Sequence, residues 1–176
     1  LVNNGTLRPG GIESLQRTFV TGRYEQGPNA VLGVQLSTPR DSDALTVQGS
    51  AHLDGTLDAT MWDTAPPTKG DRFEILTASD GVTGEFTSVA DPIRGLYALK
   101  LGTLYSSGSM SLITLQDSFR QFAKTANQIS VARNLDTCSG LNTTGGDPRS
   151  GELVEYLNTV PGSRLPERFD AIAPEE

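Results

Sequence analysis

The 176-residue chain has one cysteine, one histidine and one tryptophan, and this scarcity excludes several kinds of site. A single cysteine, Cys138, can form neither an internal disulfide nor a zinc cage built from thiolates. As a nucleophile it would have only His52 as an imidazole base, and a metal site would depend almost wholly on carboxylates. We therefore expect no catalytic, cofactor-binding or metal-binding residues, and a protein that is not an enzyme.

Long apolar runs and excess positive charge are missing as well. The longest uncharged stretches, such as 101–116, are interrupted by Gly, Ser and Thr and fall short of the roughly 20 apolar residues that a membrane helix needs. The 14 Lys and Arg are outnumbered by 21 Asp and Glu, which gives a net charge of -7. An acidic chain has the wrong sign for nucleic-acid phosphates and anionic lipid headgroups. We expect no nucleic acid, no direct membrane insertion and a monomer.

The residue pattern changes once along the chain, near residue 116. Before it, Gly, Ser and Thr are dense and apolar residues alternate with polar ones, which is typical of short strands separated by turns. After it, apolar residues recur at helical steps of three and four: Phe119, Phe122, Ala123, Ala126, Ile129, Ala132 and Leu135. Ser118 and Gln121 predict a capping box at the start of this helix, and Gly140 predicts its end.

This change predicts two domains, a β region over 1–115 and a helical connector over 116–176. Within the connector, the sequence predicts a short helix around Glu152 to Asn158 and another with Pro166 in its first turn. Within the β region, we expect a cap and folding seed over about 71–115.

Strict alternation from Leu45 to Leu57 is the strongest β signal. Every odd position holds Leu, Val, Gly or Ala, so a row of small or aliphatic side chains points inward and a polar row points outward. Gly49 and Gly55 interrupt the inward row, and glycine within a strand marks a bend, a bulge or a close backbone approach. The narrow interior of a β-solenoid supplies such a reason more readily than the alternative, a β-sandwich.

Short motifs along the chain occur in an order that resembles the closing coils of bacterial autotransporter passengers, the exported part of type V secretion proteins. In chain order they are NGTLRPG at 4–10, GRYEQ at 22–26, AVLGVQL at 30–36, VQGSAHLDGTL at 47–57, GDRFEILTA at 70–78 and GVTGEF at 81–86. Two further motifs are similar to the helical connector that precedes the family's outer-membrane barrel: TANQISVARNLD at 125–136 and LPERFDAI at 165–172.

The resemblance implies a mainly β fold: a right-handed parallel β-solenoid (β-helix) end with capping hairpins, followed by a short α-helical extension. It also implies the function of a structural and folding-assisting stem, displayed on or secreted from the bacterial surface, with the protein's own outer-membrane β-barrel as partner. Because the chain begins with Leu1 and turn-forming residues, we expect it to be a piece of a longer protein. Asp71 to Val89, with a turn signal at 79–81, is the expected cover for the solenoid end.

Two other functions stay open, an adhesin-like module that binds glycan or host protein and a polysaccharide-active enzyme. Asp54 and Asp58 share a strand face but lie about 13 Å apart, beyond the roughly 5 to 9.5 Å used in glycoside hydrolysis. Asp41 and Asp43 fit a turn better than a catalytic pair. His52 is expected on the surface.

The aromatic residues give no clear binding platform. Trp62 and the four tyrosines are scattered along the sequence, so we interpret them as core or corner residues. The triplet 142–144 has the form of a glycosylation acceptor, which matters only in a eukaryotic secretory chain. The apolar face of the long helix could bind a partner, although packing within the protein is the simpler use.

Overall fold

The computed structural model describes residues 1–11, 14–37, 41–140 and 148–173. The chain forms two compact units. The first consists of Leu1–Ala65, Asp71–Pro92 and Gly102–Ile113, and the second of Pro66–Gly70, Ile93–Leu101 and Thr114–Glu176. The expected domains, 1–115 and 116–176, stay a prediction.

The described residues form strands throughout the first two thirds of the chain. In chain order they are β1 (Val2–Asn3), β2 (Thr6–Leu7), β3 (Arg17–Thr21), β4 (Tyr24–Gln26), β5 (Val31–Ser37), β6 (Asp41–Ser42), β7 (Ala44–Gln48), β8 (Ala51–Leu53), β9 (Thr56–Met61), β10 (Arg72–Ala78), β11 (Val82–Gly84), β12 (Ser88–Ala90), β13 (Leu99–Tyr105) and β14 (Ser109–Gln116).

These strands are distributed over three sheets. One has the order β1-β4-β8-β11, the second β13-β14-β10-β7-β3, and the third β12-β9-β5-β2, with β6 paired to β5. Most pairings are parallel, whereas β10 with β14 and β5 with β6 are antiparallel. Aliphatic residues meet in register, as where Leu32 of β5 pairs with Leu57 of β9 and Val20 of β3 pairs with Val47 of β7.

The alternation from Leu45 to Leu57 gives the burial that it predicts. Odd positions in this stretch are buried, and the even ones are half-buried or exposed. Gly55 marks a close backbone approach: its φ is +64°, and an added Cβ would lie 2.5 Å from the carbonyl oxygen of Ala30.

The expected fold class, a mainly β chain with a right-handed β-solenoid end, is wrong. The structure is mixed α/β, with three flat sheets of parallel and mixed pairing and three α-helices among the described residues, and it has no solenoid. Alternation of small and polar residues specifies which side of a strand is buried, but not how strands are connected in space. The sequence pattern therefore located strands without determining the architecture.

The stretch expected to cover the sheets, Asp71 to Val89, does not form a hairpin of its own. Its turn at 79–81 is present, since Gly81 has a φ of +103° and its N–H donates to the carbonyl of Ala78. However, β10 and β11 on either side of that turn belong to different sheets, and each pairs in parallel with an earlier strand.

The second unit contains three α-helices, α1 (Ala126–Cys138), α2 (Pro148–Asn158) and α3 (Leu165–Ile172). The predicted stop at Gly140 and the predicted Pro166 in the first turn of α3 are confirmed. Phe119 and Phe169 pack edge to face in the core, with ring centres 6.3 Å apart. None of the helices in the described part of the chain combines the length and hydropathy needed to cross a membrane.

The capping box predicted for the long helix is misplaced. Ser118 caps only a short 3₁₀ helix over Phe119–Phe122. The capping box of α1 is formed by Thr125 and Gln128, whose side chains each bond the other's backbone N–H. Both positions fit the same Ser/Thr-x-x-Gln pattern, so the sequence alone could not choose between them.

Candidate functional site

The two outer strands of the parallel run β3-β7-β10 differ in how they are covered. On one side, β10 pairs in parallel with β7 and, along its other edge, antiparallel with β14, from Arg72 opposite Ile113 to Thr77 opposite Ser109. The strands β13 and β14 are joined by the short turn at 106–108, in which Ser106 N–H donates to the carbonyl of Ser109. The β10 edge is therefore closed by β14, a strand that begins about 30 residues after β10 ends.

This closed edge is deeply buried. Phe73 and Leu76 on β10 and Met110 and Leu112 on β14 are all 0% exposed. The register shifts between Glu74 and Leu76, which is a β-bulge of the kind that bends a strand.

The opposite edge has no such cover. In the described residues β1, β2 and β3 are terminal in their sheets, and each pairs with one strand only. Large apolar side chains are exposed on β3 and around β1: Phe19 is 67% exposed, Val2 59% and Leu1 54%. We refer to β1, β2 and β3 together as the open end.

Asp43 fixes the backbone next to the open end through hydrogen bonds, a role that the sequence did not indicate. The residue is 0% exposed, and its carboxylate accepts hydrogen bonds from the N–H of Gln16 (2.8 Å) and of Gln35 (2.9 Å). A Cβ at Gly10 would lie 1.8 Å from Asp43 Oδ1, so only glycine fits there. Asp41 is exposed and accepts from the N–H of Ser42, a local bond.

The other two candidate carboxylates have separate partners. Asp54 accepts from the Thr87 hydroxyl (2.8 Å) and from the N–H of Gly55 (2.7 Å). These hydrogen bonds, the one from Thr87 first, lower the pKa of Asp54. Asp58 pairs with Arg8 at 3.1 Å on the outer face of its sheet.

His52 lies on the outward row of β8, exposed as expected. Its Nδ1 is 3.2 Å from the hydroxyl of Thr83 on β11. The described residues contain no group of three or more His, Cys, Asp or Glu side chains that could hold a metal ion.

Cys138 lies in the second unit, whereas His52 lies in the first. The thiol is half-buried and lines a cavity of about 230 Å³ among the three helices. The walls of this cavity are mainly aliphatic: Val131, Leu135, Leu153 and Ile172, with Asn134 and Ser150 as polar members. No imidazole or carboxylate lines it among the described residues, so the thiol has no partner for nucleophilic catalysis there.

The aromatic residues do not form a platform. Trp62, 44% exposed, follows β9 of one sheet, whereas Phe19 lies on β3 of another. Tyr24 is buried, and burial raises its pKa to about 12. The phenol oxygen of Tyr105 accepts from the N–H of Phe86. The glycosylation triplet at 142–144 lies outside the described residues.

Tyr24 belongs to a buried polar cluster behind β1 that sequence reasoning also missed. Its hydroxyl donates to Gln26 Oε1, which also accepts from Asn3 Nδ2 at 3.1 Å. Gln26 Nε2 donates to the carbonyls of Ala30 and Thr56. Tyr24 and Gln26 share β4, but Asn3 and Thr56 lie on other strands and Ala30 lies directly before β5, so only the folded structure brings the cluster together.

Comparison with known proteins does not assign the chain to a family. A scan against models of protein families found no match, and a search of curated proteins found none either. The candidate site is the sheet in which β10 is covered by β14 and β3 is terminal.

Proposed function

We propose that this chain is a structural and folding-assisting stem of a bacterial autotransporter passenger, displayed on or secreted from the cell surface. Its partner is the protein's own outer-membrane β-barrel. Folding begins at one end of the β region, and each folded strand serves as a template for the neighbouring strand. The ordered series of motifs from 4–10 to 165–172 supports the family, and the uneven covering of the sheet edges supports the action.

The single observation that carries the proposal is the closure of β10 by β14. A strand edge exposes unpaired N–H and C=O groups, which pair with any available strand. Pairing with the antiparallel β14 ends the parallel run at β10 and leaves β13 as the terminal strand on that side, whereas β3 keeps an edge on which a parallel strand can be added. We therefore expect the parallel run to be extended only at β3.

The two edges differ in burial and not in contact order. The pairing of β10 with β14 joins residues 32 to 41 positions apart, from Thr77 with Ser109 to Arg72 with Ile113, and the pairing of β3 with β7 joins residues 27 positions apart, such as Arg17 and Ala44. The hairpin β13–β14 is itself local, so it forms at low entropic cost, and the side chains it meets on β10 are deeply buried. We therefore expect the closed edge to be the nucleus from which the sheet grows toward β3.

The second unit has features that fit the helical connector of the proposed stem. Its core is formed by Phe119, Phe169 and aliphatic residues, most of them from the three helices, and its described residues contain no cluster of side chains that could hold a metal ion. Buried side-chain amides also stabilise the second unit: Gln116 and Asn158 exchange two hydrogen bonds of 2.9 Å each.

The test is limited proteolysis of three variants of the full chain. Leu112→Asp places a charge in the closed edge, where Leu112 is 0% exposed, and should leave no resistant fragment. Val20→Asp, on β3, should leave a resistant fragment that contains β7 to β14. Leu115→Asp is the matched control, since Leu115 lies on the same strand as Leu112 but is 39% exposed.

The same variants, fused before an outer-membrane barrel and tagged at the N-terminus, test export. Leu112→Asp should reduce the protease-resistant tag on intact cells, and the Leu115→Asp control should not. Equal loss of protected fragments from Leu112→Asp and Val20→Asp would contradict growth from the closed edge. Full surface display of folded Leu112→Asp would contradict the proposed function.

A further inference from the structure

The cavity of about 230 Å³ in the second unit is a concave space that the proposed function does not use. Its most buried walls are Val131 and Leu135 of α1, which are only 9% and 5% exposed. Leu153 of α2 and Ile172, the last residue of α3, form further walls. Val131 and Leu135 belong to the hydrophobic core of this unit, and Leu153 and Cys138 pack against that core. The shape of the cavity is therefore fixed by the core.

The walls of the cavity are uncharged. The seven described residues that line it include no Asp, Glu, Lys, Arg or His. An ionised ligand would lose part of its hydration there and gain no opposite charge. Two lining side chains, the amide of Asn134 and the hydroxyl of Ser150, can each donate and accept a hydrogen bond. This lining suits a molecule with an apolar body and one uncharged polar group.

The volume limits the size of such a molecule. A cavity of about 150 Å³ lined by apolar side chains holds one benzene molecule, and pockets for drug-sized ligands begin at about 300 Å³. The 230 Å³ of this cavity lie between these values. A ligand of about six to nine non-hydrogen atoms therefore fits.

The distribution of apolar surface favours a small molecule over a protein partner. Of the four aliphatic residues that line the cavity, only Ile172 is a strongly exposed one, at 40%. The neighbouring exposed positions are polar, namely Arg133 and Thr137 on α1 and Glu152 on α2. A protein interface needs a contiguous apolar patch on the surface, whereas here the apolar area lies inside the cavity. The occupant therefore has to enter the cavity.

We propose that this cavity is a binding site for a small neutral amphiphile, of the chemical class of an aliphatic alcohol with about six to nine non-hydrogen atoms. Its apolar body contacts the aliphatic walls, and its hydroxyl group bonds Asn134 or Ser150. Cys138 lies in the wall and reports on occupancy through its thiol. The proposal is independent of the proposed function, since it concerns a cavity within the second unit alone.

The first experiment uses Cys138, the only cysteine of the chain, as a reporter. The rate at which N-ethylmaleimide alkylates the full chain is followed by mass spectrometry while hexan-1-ol is added. The rate should fall in a saturable way, about tenfold at ten times the dissociation constant, because only the empty form reacts. Hexanoate and hexylammonium have the same chain length but are charged at pH 7, and they should bind at least about tenfold more weakly.

The second experiment locates the ligand by a methyl NMR titration with hexan-1-ol. Methyl signals of Val131, Leu153 and Ile172 should shift with the dissociation constant found by alkylation. Those of Leu32 and Leu57, which are buried in the first unit, should stay unchanged.

Variants that fill the cavity test the same location. Cys138→Phe places a ring in the cavity and should abolish the saturable shifts, and Ser150→Phe should do the same from α2. Thr137→Phe is the matched control, since Thr137 is the exposed neighbour of Cys138 on α1, and it should bind like the wild type.

Each prediction has an outcome that overturns it. Alkylation that hexan-1-ol does not slow, or methyl shifts of equal size in both units, overturns the binding site. Hexanoate or hexylammonium that binds as tightly as hexan-1-ol overturns the neutral ligand class. Tight binding by Cys138→Phe and Ser150→Phe, each folded by circular dichroism, overturns the location. None of these results bears on whether folding begins at the closed edge.

Discussion

The β10 edge and the β3 edge belong to one sheet, yet they have opposite surroundings. Along β10, Phe73 is 0% exposed beneath β14, whereas Phe19 on β3 is 67% exposed. Both residues are phenylalanine in a five- to seven-residue strand of the same parallel run. The main difference is side-chain direction, since Phe73 lies in the inward row of its strand and Phe19 in the outward row, beside Thr46. The return of β14 adds a paired neighbour along β10 that β3 does not have among the described residues.

The largest expected effect is on the free energy of unfolding when each of these two phenylalanines is replaced by alanine. Phe73→Ala removes a fully buried ring and leaves a cavity, which should lower the free energy of unfolding by about 4 kcal/mol. Phe19→Ala should change it by less than about 0.5 kcal/mol in the monomer. Urea denaturation at low protein concentration measures both, and similar losses would show that the β3 edge is covered in solution.

The next effect concerns the carboxylate that anchors the open end. Asp43→Ala leaves the N–H groups of Gln16 and Gln35 without their acceptor in a buried place, and should cost about 3 kcal/mol. Asp41→Ala is the matched control, since Asp41 is exposed, and should stay within about 0.5 kcal/mol. Equal small effects on thermal unfolding would mean that Asp43 does not fix the chain before β3.

A third comparison uses alkaline pH, because a buried phenol also lies behind the open end. Burial raises the pKa of Tyr24 from 10.0 to about 12. Between these values the unfolded chain loses the Tyr24 proton while the folded chain keeps it, so the free energy of unfolding falls as pH rises from 10 to 12. This stabilisation is fully present below pH 10.

Tyr24→Phe removes the titration of Tyr24, so the difference between this variant and the wild type separates it from the titration of the other tyrosines. The urea midpoint of the variant should drop less than that of the wild type between pH 9 and pH 11.5. Tyr156→Phe, at a tyrosine 51% exposed, is the control and should follow the wild type. If Tyr24→Phe and wild type lose stability in parallel, the phenol is not buried as described.

The sequence predicted local features well where local residues decide them. The alternating row from Leu45 to Leu57 predicted the buried positions, and Gly140 predicted a helix end, because side-chain direction and backbone freedom are properties of single residues and near neighbours. It failed for Asp43, which has the appearance of a turn residue but whose hydrogen-bond donors lie 27 and 8 residues away. It failed likewise for the architecture, since alternation does not encode which strands pair.

The open and closed edges could not be predicted for the same reason. The alternation of each strand gives the direction of Phe19 and of Phe73, but the return of β14 to β10 depends on residues more than 30 positions away. Function stays a prediction that depends on the order of the motifs.

The smallest expected effect concerns the closed edge itself. Ser111 of β14 is 0% exposed, and its Oγ has no hydrogen-bond partner among the described residues. Because a buried unpaired hydroxyl costs free energy, Ser111→Ala should stabilise the protein by up to about 1 kcal/mol. Ser109→Ala, on the same strand, should instead destabilise it by about 0.5 kcal/mol, since Ser109 Oγ bonds Ser106 Oγ at 2.8 Å. If denaturant melts show Ser111→Ala to be the more destabilising of the two, the hydroxyl has a bonded partner, and the interior of the closed edge is more polar than its aliphatic residues suggest.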